Sequence, residues 1–62
     1  MNWAESIKAL RNKMLLTQEE LAHEIGVSFA SVNRWENSEH EPTMKIKRKL
    51  MKLMKDYKVV EE

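Results

Sequence analysis

Arg34 and Asn33 are the side chains of this sequence best suited to reading a patterned polar edge. A guanidinium donates from a rigid fork, so Arg34 can give two parallel hydrogen bonds to guanine O6 and N7. A carboxamide donates and accepts side by side, which lets Asn33 pair with adenine or donate to a phosphate oxygen. If residues 28–37 are helical, about 100° per residue puts Phe29, Ala30, Asn33, Arg34 and Asn37 on one face. Val32 and Trp35 then lie opposite. Phe29 and Ala30 add the kind of apolar surface that a thymine methyl contacts. Phe29 has a second reading, in which it packs on the preceding helix or joins a protein interface. Ser28, at the start of such a helix, stands beside free backbone N–H groups that favour an anion such as phosphate.

Other chemistries find little support. The carboxylates are spread along helix faces, with no nucleophile–base pair and no glycine-rich loop, so neither an enzyme activity nor a small-molecule substrate is expected. The chain has no cysteine, which excludes a disulfide framework and a thiolate metal site. His23 and His40 are far apart in sequence and lack further ligands at helical spacing, so no metal and no cofactor are expected.

A recognition face needs a rigid mount, and the flanking residues form one. Leu21, Ala22 and Ile25 are apolar at helical spacing, and Gly26 can adopt positive φ and end that helix. Ala22 is small enough to let two crossing helices approach. Thr17 caps the start, and Glu20 completes a capping box. Ser28 caps the next helix. Residues 18–37 thus read as two short helices joined by a tight turn, a helix-turn-helix pattern. A first helix over about residues 2–13 presents Trp3, Ile7, Leu10 and Met14 on one face, with Asn2 as cap and Glu5 as its capping-box partner. Pro42 disfavours helix at Glu41, so residues 38–42 read as a polar loop.

Thr43 starts a fourth helix that ends near Tyr57. Ile46, Leu50, Leu53, Met54 and Tyr57 share one side; Lys45, Arg48, Lys49, Lys52 and Lys55 share the other. Met44 and Met51 flank them and suit an adaptable interface. The basic stripe reads either as a solvated face or as a surface for a phosphate backbone or another anionic partner.

The pattern resembles the Cro/C1-type (Xre-like) helix-turn-helix domains of phage repressors and small bacterial regulators. The residues that carry the resemblance are I-K-A-L-R (7–11), L-T-Q-E-E-L-A (16–22), G-V-S (26–28), V-N-R-W-E-N (32–37) and P-T (42–43). It spans roughly residues 3–55. It implies an all-α, compact four- to five-helix bundle of the lambda-repressor-like type. The fifth helix is expected to be short or absent, because a short tail follows the fourth. The resemblance also implies a homodimer on a pseudo-palindromic operator, with the third helix in the major groove. By the same resemblance Gln18 anchors a phosphate at a helix N-terminus. Thr17 and Asn37 are further phosphate candidates, and Arg11 pairs with a partly buried Glu36. One stretch departs from the family. Its members often carry glycine and basic residues after the recognition helix, whereas this chain has Ser38-Glu39-His40-Glu41, whose carboxylates repel phosphate.

Length bounds the answer: 62 residues suit one domain, expected over 1–57, with 58–62 as a frayed acidic tail. Apolar runs are too short to span a membrane, and no signal-like apolar block opens the chain. With cysteine absent, the expected location is the cytoplasm. The net charge of +1 conceals a division. Residues 1–42 carry four basic and seven acidic side chains, whereas residues 43–58 carry seven basic and one acidic. The expected function is sequence-specific binding of double-stranded DNA by a transcriptional regulator of bacterial or phage origin. The alternative is a protein-interaction module on the same fold, antitoxin-like or a coactivator-type adaptor.

Overall fold

Residues 2–59 are described by the computed structural model. Each helix begins where a short polar side chain satisfies a free N–H of the first turn. Asn2 accepts the Glu5 N–H at 3.2 Å and opens α1 (Trp3–Met14). Only this half of the expected capping box forms. Thr17 accepts the Glu20 N–H at 3.1 Å while Glu20 accepts the Thr17 N–H at 2.9 Å, so α2 (Gln18–Ile25) starts with the full box. Ser28 accepts the Ser31 N–H at 3.2 Å and opens α3 (Phe29–Glu36). Thr43 accepts the Ile46 N–H at 3.5 Å and opens α4 (Met44–Asp56). Among the described residues there are four helices and no strand.

The helix ends share one device. The backbone turns left-handed at Leu15 (φ 59°), Gly26 (φ 80°), Ser38 (φ 62°) and Lys58 (φ 58°). The next N–H then reaches five residues back: Leu16 to Arg11, Val27 to Ala22, Glu39 to Arg34 and Val59 to Met54, at 2.8–3.0 Å. These bonds satisfy carbonyls that a helix end leaves open. Only one of the four turns carries the glycine that announces it in sequence.

Ile7, Leu10, Leu21, Ala22, Ile25, Val32, Trp35, Leu50 and Met54 form the core. Trp3, Met14, Leu16, Val27, Ile46, Leu53 and Val59 pack around it. Against this core α3 rests on α1 and α2, and α4 rests on α1 and α2. Lys49 Nζ reaches the Ile25 carbonyl at 3.4 Å, placing a cation at the negative end of α2. Two expectations need correction. Tyr57, grouped by periodicity with the buried side of α4, is 41% exposed because the helix stops at Asp56. The tail expected from residue 58 starts later, since Lys58 makes the final turn and Val59 packs on the core. The rest of that acidic tail, residues 60–62, lies outside the described residues.

Candidate nucleic-acid interface

The spacing of α3 sorts its side chains cleanly. Val32 and Trp35 are buried, and the opposite face presents Phe29, Ala30 and Arg34 to solvent with Asn33 half-buried. Phe29 is 50% exposed, so it does not pack fully on α2. Arg34 has no carboxylate in ion-pair range among the described residues, and its guanidinium is open to a ligand. Asn37 closes the helix, exposed beside Arg34.

The helix starts are arranged to donate. Ser28 and Ser31 lie with their hydroxyl oxygens 3.0 Å apart. Their mutual bond uses one hydroxyl proton and leaves the other to point outward. Ser31 gives one signal in the sequence, a second serine one helical turn after the cap. Thr17 spends its oxygen on the Glu20 N–H, which leaves its hydroxyl proton available.

Behind this face sits a charged hub. Glu36 is 4% exposed and accepts from Arg11 Nε at 2.8 Å and Arg11 Nη2 at 3.0 Å. Gln18 Nε2 donates to the same carboxylate at 2.9 Å. Arg11 Nη1 also reaches the Leu16 carbonyl at 3.3 Å. A two-pronged guanidinium–carboxylate pair fixes orientation as well as distance. The hub therefore joins α1, the start of α2 and the end of α3. The Arg11 guanidinium is raised above its ordinary value; the Glu36 hydrogen bond is the main cause, burial opposes it, and the carboxylate charge adds to it. Gln18 is thus held inward by one N–H of its amide, and the second N–H stays unspent. Nothing in residue spacing marks this bond, which joins an amide at the start of α2 to a carboxylate at the end of α3, the next helix.

The loop after α3 is less repulsive to an anion than its sequence suggests. Lys47 pairs with Glu41 at 2.9 Å and also lies over the Trp3 ring, 5.2 Å from its centroid. That leaves Glu39 as the unpaired carboxylate of the loop. Beside it, a hollow of about 690 Å³ is lined by Trp3, Trp35, Ser38, Glu39, His40 and Glu41, among others. His23 and His40 do not come together: His23 lines a separate hollow with Leu16, Glu19, Glu20 and Glu24. No group of three His, Cys, Asp or Glu side chains suited to a metal occurs among the described residues. No helix among them is long and apolar enough to cross a membrane.

Two short helices joined at a left-handed glycine, the second with a buried inner face and an open polar outer face, define a DNA-binding helix-turn-helix domain. A family model described as Helix-turn-helix matches residues 7–59, and the chain belongs to that family, in its Cro/C1 type. No curated protein and no solved structure matches the chain. Membership makes the protein a DNA-binding transcription regulator in general terms.

Proposed function

We propose that the protein reads double-stranded DNA in a sequence-specific manner, as a transcriptional regulator of bacterial or phage origin working in the cytoplasm. The observation that carries this reading is the unpaired, exposed Arg34 on a helix whose other face is locked by Val32 and Trp35. In this reading α3 enters the major groove. Arg34 bonds guanine, Asn33 bonds adenine or phosphate, and Phe29 and Ala30 meet thymine methyls. Gln18, Thr17, Ser28 and Asn37 hold phosphates on either side, with the positive ends of α2 and α3 adding to the attraction. Glu36 and Arg11 touch no DNA; they hold α1, α2 and α3 in register. Binding acts by occupancy, and no reaction is assigned to the chain. A module this small reads few base pairs, so a homodimer on a pseudo-palindromic site completes the reading.

The test is duplex binding measured across a salt series. Replacement of counterions by basic side chains makes affinity fall steeply with salt. The reading expects that dependence, together with tighter binding to a preferred sequence. Salt-independent binding, or none, would contradict it and favour a protein-interaction module.

A further inference from the structure

The strongest charge pattern in the molecule lies outside the face just described. Lys45, Arg48, Lys49, Lys52 and Lys55 are all exposed on α4. Among the described residues none of them has a carboxylate within ion-pair distance; the paired lysine of this helix is Lys47. Asp56 is the single acidic residue of α4 and stands at its last position. At about 1.5 Å per residue, the span from Lys45 to Lys55 is roughly 15 Å. Unlike the ordinary solvated helix face, this one carries no alternating charge to neutralise it.

The direction of this stripe matters. Leu50 and Met54 on α4, and Val32 and Trp35 on α3, point into one core. Both helices pack on α1 and α2, and the stripe belongs to α4 alone, touching the end of α2 through the Lys49 bond to the Ile25 carbonyl. Its chemistry also narrows the partner. Leu50 and Met54 are spent on the core, and the apolar side chains that α4 leaves exposed, Met44, Met51 and Tyr57, fall short of the continuous apolar face that an interfacial helix buries in lipid. No aromatic side chain interleaves the cations, so single-stranded bases have no platform on which to stack. A duplex, with one negative charge per roughly 1.7 Å of axis, complements a straight row of cations without either feature.

We infer that the exposed basic face of α4 is a second surface for the DNA duplex backbone, independent of sequence and built on a different helix from α3. It supplies phosphate contacts beyond those of the helix-turn-helix.

The test uses the whole chain on a labelled duplex of arbitrary sequence across a salt series. The variant carries Lys45→Gln, Arg48→Gln, Lys52→Gln and Lys55→Gln; Lys49 is left alone because it bonds Ile25. Each neutralised phosphate contact removes about 0.9 from the log–log salt slope, so a decrease of about 3–4 is expected. Half-variants, one with the first two substitutions and one with the last two, are each expected to lose about half of that. Arg34→Ala, run alongside, should change the slope by no more than about one. A slope unchanged by all the α4 variants, with their circular-dichroism melts matching the wild type, would overturn the proposal. So would α4-dependent binding to phosphatidylserine vesicles in place of duplex. A reduced slope together with an Arg34→Ala variant that keeps its sequence preference would leave this inference standing and remove the reading of α3.

Discussion

Glu36 shows how one buried charge is made useful. It is almost fully enclosed, and an enclosed carboxylate is costly unless each oxygen finds donors. Arg11 supplies two of them and Gln18 a third. Arg11→Ala leaves that carboxylate without its counter-charge and is expected to destabilise the fold by about 3–5 kcal/mol, read by thermal or denaturant unfolding. An unchanged melt would remove the hub from the account. The raised guanidinium sets the sign of the linkage. Its contribution is complete below the ordinary arginine value and is lost only as pH rises through the higher folded value, so it is constant around neutrality. Arg34 makes the contrasting case. It is exposed and unpaired, so Arg34→Ala should leave the melt within about 0.5 kcal/mol. The same substitution should cost about 1–3 kcal/mol at the base pair it reads. The Arg11–Glu36 pair was foreseen only through family resemblance. The Gln18 bond to the same carboxylate has no signal in the linear string, where the resemblance turns Gln18 toward phosphate instead.

At the level of elements, the starts of helices were easier to read than their ends. Asn2, Thr17, Ser28 and Thr43 are all residue types whose oxygen can accept a first-turn N–H, and each one caps. The ends use a left-handed residue every time, but Leu15, Ser38 and Lys58 give no hint of it. After Leu15 and Lys58 the next residue, Leu16 or Val59, packs on the core, whereas Glu39 after Ser38 is exposed. Two substitutions test this. At Gly26 an added Cβ would meet nothing within 4 Å, so the cost of Gly26→Ala is backbone strain alone. That cost is expected to be roughly 1–2 kcal/mol of unfolding free energy. Leu15 is 88% exposed and packs on little, so Leu15→Gly removes the same strain at small loss. A gain of roughly 0.5–1 kcal/mol is expected after the entropy of glycine is subtracted. A lower melting temperature for Leu15→Gly would show that its side chain has a role the fold does not reveal.

For the molecule as a whole, size decides what can be tolerated. A domain of 62 residues holds a total stability of about 3–9 kcal/mol at the usual value per residue. Trp35 sits in the single core at 6% exposure, and Trp35→Ala is expected to remove about 3–5 kcal/mol, enough to unfold much of the population. Native-like far-ultraviolet dichroism with an unchanged melt would place Trp35 outside the core's energetics. The division of charge along the chain is carried by α4, whose exposed side gathers Lys45, Arg48, Lys49, Lys52 and Lys55. The residues within this fold were legible because helical periodicity and packing agree. The placement of α4 was not, since it rests on contacts distant in sequence such as the Lys49 bond to the Ile25 carbonyl. Whether α3 reads sequence is decided by selection from random duplex DNA at moderate salt, with Arg34→Ala run beside the wild type. The wild type is expected to enrich a pseudo-palindrome, and the variant to lose it while staying folded. Enrichment of the same sequence by both proteins, or by neither, would contradict sequence reading by α3.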